Sequence, residues 1–450
     1  MDRLDELHEA LGVKSFASDS AVPVLVLKIG RYVLHPGTVG IIRSLGRMGV
    51  PVFSIVEDRF TPAAVCKYVA GTLIWENHGL DATKLLDGMA IIGERLKRPT
   101  ILVPTDDVAA IFIAEQAATL HRWFLFPRQT ALLPRTLANK RKLYLLCKQI
   151  GVSCPETVFP NSRDDVHEFL EHATFPVVMK AAESWLLPDG ARTTSIAWTR
   201  EQACAFYRDT QTQQHMQSHQ RPNLIFQQYI PPGCSEDWFY HGYCNQGSDS
   251  CIGFTGRKIR SYPCFAGPTT LGKAVTNEPL RQRADAILKS LSYSGIVDID
   301  FRLDKRDGQY KLLDFNPRIG AQFRLFEDHA GTDVVRALYL DLTGKRVPKS
   351  PEIKGRTFIV ELHDLAASIA SLRRGTLTVR EWWRSLYGKK ELAWFSRDDP
   401  LPFLMMCIRL LLRVIGRMLR ISRTPNLANQ TPHWQNSWHT GLHRKTAKLG

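Results

Sequence analysis

Hydrophobic and polar positions change period several times along the first third of the chain. VPVLVLKIG (22–30) is a near-continuous apolar run ended by glycine, the pattern of a strand buried on both faces. GTVGIIRSLGRMG (37–49) switches to helical spacing, with Ile41, Leu45 and Met48 on one stripe. VPVFSIVED (50–58) and PTILVPTDD (99–107) return to the strand pattern. Strand, helix and strand at this spacing predict a βαβ unit and hence a parallel sheet. Such sheets bind ligands at the carboxyl ends of their strands, here near Gly30–Thr38 and Thr105–Asp107. The glycines there match neither a P-loop nor G-x-G-x-x-G and read as turn formers.

Farther on, PRTLANKRKLYLLCKQIGVSC (134–154) reads as helical, with Lys140 near a helix start, Gly151 as a stop and Pro155 beyond. FPVVMK and NLIFQQYI give strand signals around a polar helix near 200–220. Strands are expected at 237–245 and 251–259, a helix at 276–292 and a hairpin at 295–316. There is no internal repeat, and QTQQHMQSHQ (211–220) is the one low-complexity stretch.

Composition narrows the classes. The 450 residues are 44% hydrophobic and 10% aromatic, which excludes a mainly disordered chain. A net charge of +15 first points to an anionic partner: nucleic acid, lipid or nucleotide. Much of that excess lies in 401–450, which holds Arg409, Arg413, Arg417, Arg420, Arg423, Arg444, Lys445 and Lys448 and no acid. Nine scattered cysteines without a C-x-x-C pair argue against a disulfide framework or zinc site and fit a reducing cytosol. The acidic start MDRLDELHEALGVKSF has no signal-peptide core, and no stretch of 18 uncharged apolar residues is present.

The hairpin is the most informative segment. In GIVDIDFRL, Asp298 and Asp300 share one face; in YKLLDFNPR, Leu312, Asp314 and Asn316 share one. A three-residue loop with Gly308 in the left-handed conformation would pair 305 with 309, setting Asp300 opposite Asp314 and Asp298 opposite Asn316. Opposed side chains stand about 4.5–5.5 Å apart at Cβ, where like charges repel unless neutralised. A divalent cation with oxygen ligands, completed by phosphate oxygens, would do so. The competing reading is a solvated Asp-rich face, and a two-residue turn would undo the pairing. Lys180, ending a buried strand, suits phosphate, as do Lys140, Arg257, Lys258 and Arg318, though singly each is an ordinary surface cation.

Together these segments resemble the ATP-grasp superfamily, and within it carboxylate–amine ligases of the D-aspartate ligase type, over roughly residues 22–345. The order carries the resemblance: N-K-R before G-V-S-C-P-E-T, then F-P-V-V-M-K, Q-Q-Y-I followed by acids, G-R-K-I-R-S-Y-P, and a D-x-D-F hairpin ending L-L-D-F-N-P-R. It implies an α/β (α+β) fold: an N-terminal parallel βαβ domain, then a two-lobed ATP-grasp domain, with a C-terminal amphipathic helical tail. The corresponding boundaries are 1–20 (extension), 21–125, 126–345 (small lobe about 151–230, metal lobe about 231–345), 346–400 (extension) and 401–450 (tail).

The resemblance also implies roles. Lys140, Lys180 and Lys258 would contact nucleotide, the backbone of Gln228, Tyr229 and Ile230 the adenine edge, and Glu236 or Asp237 the ribose. Asp300, Asp314 and Asn316 would hold two Mg²⁺ ions, with Mn²⁺ as a substitute. Arg257 and Arg318 would face the γ-phosphate and acyl phosphate. Three departures stand out: both hairpin acids are Asp where Glu is usual, Gln227–Gln228 replaces a frequent glutamate, and the loop after Lys180 has the single glycine Gly190.

The activity so implied is ATP-dependent activation of a carboxylate and its joining to an amine, without a nucleophilic side chain, on small-molecule substrates. The carboxylate is expected between the hairpin and the N-terminal domain, near Gly37–Thr38. Rival readings are the same fold with another nucleophile, a nucleotide-binding scaffold without turnover, and a basic nucleic-acid-binding protein. The last lacks any finger, RRM or KH signature, so no nucleic acid is expected. Oligomeric state is not legible.

In LPFLMMCIRLLLRVIGRMLRISR (401–423), five arginines fall within an arc of about 120° at ~100° per residue. Leu404, Cys407, Ile408, Leu411, Val414, Ile415 and Met418 lie opposite. This predicts a cytoplasmic protein held peripherally at the inner membrane face, or a helix packed on protein. His433, His439 and His443 carry only a remote metal possibility.

Overall fold

The computed structural model describes residues 21–30, 34–77, 79–187, 193–213, 222–262 and 267–423, and the side chains of all but 209–213 and 416–423 among them. The predicted parallel sheet is present. Its strands and the helices between them are β1 (Val24–Leu27), α1 (Pro36–Gly46), β2 (Val52–Val56), β3 (Val69–Ile74), α2 (Ala82–Leu96), β4 (Thr100–Pro104), α3 (Asp107–Glu115), α4 (Ala117–Leu120) and β5 (Phe124–Leu125). The strands run parallel in the order β3-β2-β1-β4-β5. β1 and β2 are buried at every position, as apolar runs covered on both faces must be. β3, which is only partly buried, and α2, which buries Leu85, Met89 and Ile92, stand outside the elements predicted from sequence.

Helix α1 begins with Pro36 at a first-turn position, where its missing N–H costs nothing. His35 caps it, Nδ1 accepting from the Thr38 amide at 3.2 Å. The helix is buried from Pro36 to Leu45, and Gly40 permits this: a Cβ there would lie 2.8 Å from the Phe323 ring.

The single helix expected over 134–154 is two, α5 (Leu133–Ala138) and α6 (Lys140–Gln149). Asn139 adopts an extended conformation between them and caps α6 by accepting from the Lys142 amide. Next come β6 (Thr157–Val158), α7 (Arg163–His172), β7 (Val177–Lys180), β8 (Thr194–Ala197), α8 (Arg200–Gln213) and β9 (Ile225–Gln228). They form a small lobe around an antiparallel sheet ordered β6-β9-β7-β8. Gly190 and most of QTQQHMQSHQ lie outside the described residues.

A seven-stranded sheet follows, ordered β14-β13-β10-β11-β12-β15-β16. Its elements in chain order are β10 (Ser235–Cys244), β11 (Ser250–Ser261), β12 (Thr269–Ala274), α9 (Glu278–Ser290), β13 (Gly295–Asp304), β14 (Gln309–Asn316), α10 (Val334–Leu342), β15 (Thr357–Ile359), α11 (Glu361–Arg373), α12 (Val379–Ser385) and β16 (Lys390–Leu392). The stretch 346–400, read from sequence as an extension, thus supplies two strands to this sheet. Each sheet packs against a hydrophobic cluster of described residues.

The hairpin keeps the expected pairing at its acidic end by an unexpected route. Asp304 pairs with Gln309 across a four-residue turn, Lys305–Gly308, with Gly308 at φ +70°. That is one residue out of the anticipated register. A bulge at Leu313 corrects it, so Asp300 stands opposite Asp314 and Asp298 opposite Asn316.

The chain divides after Met405 into two compact units. Helix α13 runs Leu401–Arg423, the span expected to be helical. Among the described residues no helix is long and apolar enough to cross a membrane. The final histidines lie outside those residues.

Candidate active site

The acidic centre is built by strand pairing. Pairing of β10 with β13 sets Phe239 beside Asp300 and His241 beside Asp298, so Asp237, Phe239 and His241 share the acids' face. Lys258 joins that face from β11, its Nζ 3.6 Å from Asp300 Oδ1. Lys140 donates to Asp314 Oδ1. Lys180 Nζ lies 3.5 Å from the carbonyl oxygen of Leu313, the bulge residue. Of the sequence-predicted set, Lys140, Lys180, Lys258, Asp300, Asp314, Asn316 and Arg318 are therefore brought together.

Local folding explains Lys140. It occupies the first turn of α6 with Arg141 and Lys142 and no acid, against the preference of a helix N-terminus for negative charge. Of the three cations, Lys140 turns onto Asp314, whereas Arg141 lies over the Phe159 ring, and the Lys140 and Lys142 amides donate to the Ala182 carbonyl and to Asn139 Oδ1.

The charges are strongly coupled. Burial pushes the Asp314 carboxyl up, but Lys140 and Lys180 outweigh it and hold it below the usual range. Burial raises Asp300 and Lys258 opposes it, while Asp298, Asp314 and Asp237 add to the rise. Burial, reinforced by Lys140 and Arg302 and only partly offset by Asp314, lowers Lys180 to about 8. Two carboxylates so close, one resisting ionisation, are short of positive charge.

The residues present fit a hard cation. Asp300 Oδ1 and Asp298 Oδ1 are buried without a hydrogen-bond partner. Among the described residues no group of three or more His, Cys, Asp or Glu could hold a metal by itself. Magnesium needs only one or two carboxylates when phosphates supply other ligands, and Asp300, Asp314 and Asn316 offer that set.

Arg318 joins this centre to the parallel domain. Its guanidinium lies 3.2 Å from Asp107, at the start of α3, and 3.6 Å from Asp298, and donates to Asn316 Oδ1 at 3.0 Å. Asp106 caps α3 and accepts from the Ile29 and Gly30 amides, which ties the strand ends of β1 and β4. A cleft at the ends of β1 and β2 is lined by Lys28, His35, Thr38, Glu57, Thr61 and Trp394. Lys28 and Glu57 are ion-paired there. Burial, Arg318 and Lys28 push His35 down to about 3, so its ring is neutral. With Nδ1 accepting from Thr38, the proton sits on Nε2.

Three expected roles meet a different placement. Arg257 pairs across the sheet with Trp238, on the face away from Asp300. Its guanidinium lies over the Trp238 ring at 5.6 Å and 3.6 Å from Glu236. Glu236 also points that way and binds Lys305 at 3.0 Å. The alternation of β10 therefore leaves Asp237 on the acids' face, in a bidentate pair with Arg302 (2.6 and 3.0 Å). In the hinge, the Gln228 amide is committed to the Glu156 carbonyl and the Ile230 carbonyl accepts from Arg302. Tyr229 packs edge-on against Trp198.

Sequence reasoning missed His241, Arg302 and Trp394. His241 is fully buried, with Nε2 3.0 Å from Asp298 Oδ1 but not aligned for a hydrogen bond. Its alternation with Asp237 could have flagged it. Nothing local marks Trp394, which reaches the cleft from beyond β16 because Arg43 holds its carbonyl at 2.7 Å and Asp399 at 2.8 Å.

Comparison with known proteins agrees with this geometry. Residues 265–341 match the model of the carbamoyl-phosphate synthase L chain, ATP binding domain. D-aspartate ligase of Enterococcus faecium (strain Aus0004) is 25% identical over 232 residues, 49% of this chain and 53% of that one, so the chain spans about half the length of this relative. An ADP complex of N5-carboxyaminoimidazole ribonucleotide synthetase superposes with a TM-score of 0.57 at 10% identity, covering 79% of this chain and 85% of that one. The same enzyme from Thermus thermophilus gives 0.53 at 13%, covering 73% and 80%. The biotin carboxylase domain of the Hydrogenobacter thermophilus 2-oxoglutarate carboxylase gives 0.53 at 15%, covering 73% and 71%. The chain shares the fold of these solved enzymes, the ATP-grasp fold that the sequence resemblance implies. In sequence, over about half its length, it is similar to D-aspartate ligase.

Proposed function

We propose that this chain is an ATP- and Mg²⁺-dependent carboxylate–amine ligase that forms ADP. The observation that carries this reading is Asp300 facing Asp314 within a ring of Lys140, Lys180 and Lys258. Bound Mg²⁺, with two ions as the expected number and Mn²⁺ as a substitute, would neutralise phosphate charge there. Lys140 and Lys180 would hold the phosphates, Asp237 rather than Glu236 the ribose, and the Gln228–Ile230 segment the adenine. Arg318 would neutralise charge on the transferring phosphoryl group.

The substrate carboxylate attacks the γ-phosphorus, and the bond to the β,γ-bridging oxygen breaks with its electron pair leaving on ADP. The amine then attacks the acyl carbon, phosphate departs and the ammonium loses a proton. The carboxylate substrate would bind near Gly37–Thr38, as expected, beside a neutral His35 that feels the charge of Arg318. The eight described cysteines are free, which supports a reducing, cytosolic setting.

The test is ADP release from purified protein with panels of carboxylates and amines. Release that needs both partners, and falls steeply in Asp314→Asn, is the expected result. Release with bicarbonate alone would instead support another nucleophile, and nucleotide binding without release a scaffold.

A further inference from the structure

We infer that the outer layer formed by α11 and α12 is a docking surface for an anionic membrane. Helix α11 is built inside out for a helix facing water. Its inward side carries Asp364, which accepts from Arg260 Nε at 2.9 Å, from Arg260 Nη2 at 2.8 Å and from Thr270 at 3.1 Å, with Ala367 and Ser368 beside it. Its outward side carries Leu362, Leu365 and Ile369, spaced three and four apart and all exposed, Leu365 by 50%. A surface helix ordinarily shows the reverse arrangement.

Helix α12 is tied to the same strand, because Arg260 Nη1 also donates to Ser385 Oγ at 2.6 Å. Trp382, Ser385 and Leu386 are partly buried, whereas Val379, Arg380, Trp383 and Arg384 are exposed, as is Tyr387 just beyond. Trp383 is 60% and Tyr387 76% exposed. Over 361–390 the exposed charges are Arg373, Arg374, Arg380, Arg384, Lys389 and Lys390 against Glu381, which is held in a capping box by Thr378.

Aliphatic side chains, a tryptophan and a tyrosine among arginines match the boundary between anionic headgroups and acyl chains. A second copy of this surface would oppose cations to cations, and nucleic acid offers nothing to the Leu362–Leu365–Ile369 stripe. The arginine-striped helix α13, taken by itself, has the same chemistry, so the chain carries two elements of this kind. The docking surface stands independently of the ligase reading.

The experiment is flotation of the full chain with phosphatidylcholine vesicles, with and without 30% phosphatidylglycerol. Binding is expected to the anionic vesicles only, falling at least tenfold between 0.1 and 0.5 M salt. The full-chain double variant Leu365→Glu/Trp383→Glu should lose at least tenfold of that binding while its ADP-induced thermal shift is unchanged. Wild-type flotation in the double variant would overturn the proposal, leaving any attachment to α13. So would absence of flotation, or a dimer in sedimentation that this variant dissolves.

Discussion

Asp300 and Asp314 face each other across β13 and β14 although the turn joining these strands is out of step with that pairing. The bulge at Leu313 restores the register and aims the Leu313 carbonyl at Lys180. One irregular residue thus sets the opposition of the two acids and the position of a cation between the lobes. Removing either acid should show what that opposition does: Asp300→Asn and Asp314→Asn are each expected to lower steady-state ADP release by about 10²–10³-fold. An unchanged rate would mean that the pair holds no ion needed for turnover.

Lys180 gives a pH dependence. Its pKa of about 8 lies below the ordinary lysine value, so between pH 8 and about 10.5 the unfolded chain binds more protons and stability rises with pH. Nucleotide affinity should move the other way, weakening as the free protein passes pH 8 and loses this cation. Lys180→Arg should flatten the profile, as read by titration calorimetry with ADP from pH 7 to 9.5.

His35 works in the acid range. Its pKa near 3 lies below the ordinary 6.5, so the unfolded chain takes up the proton first and stability falls as pH drops from 6.5 towards 3. His35→Asn keeps a cap acceptor for the Thr38 amide and removes the titrating ring. Its thermal midpoint should therefore decline less than that of the wild type over this interval, in calorimetric scans.

Gly320 sits where no side chain fits. A Cβ would lie 2.3 Å from His241 Cε1 and 2.6 Å from Asp298 Oδ2. Gly320→Ala should destabilise the protein by about 1–3 kcal/mol in urea unfolding. It should also lower ADP release by displacing Asp298 beneath Arg318.

Arg43 and Asp399, both buried, join α1 to the segment that carries Trp394. Arg43→Ala leaves the Asp399 charge buried, at a cost of about 3–5 kcal/mol in denaturant unfolding. Restoration of wild-type stability by Arg43→Ala/Asp399→Ala would identify the stranded charge as the cause.

Much of the acidic centre is legible because β alternation and cross-strand pairing are local rules. Asp298 with Asp300, and Asp314 with Asn316, share faces by period two, and Lys180 follows from its place at a strand end; the pairing of the acids needs the bulge, which turns Leu312 to the core face with Phe301 and Phe315. The same rule corrects Arg257 and Glu236. Nearness to a motif along the chain does not make a charged residue face it, and parity along β10 and β11 sends both to the opposite face. The bulge is not legible, since Leu313 differs in no chemical way from Leu312.

Sequence alone determined the buried parallel strands, the strand–helix alternation, the acid-bearing hairpin and the amphipathic period of 401–423. Each depends on residues within one or two turns or pairings of each other. Tertiary structure decided which cations meet the acids, that Arg318 bridges to Asp107, and that Trp394 walls a cleft on strands from the start of the chain. It also decided that α11 carries its leucines outward. These contacts join positions far apart in the chain, and packing selects among many equally charged or equally apolar candidates that no local pattern distinguishes.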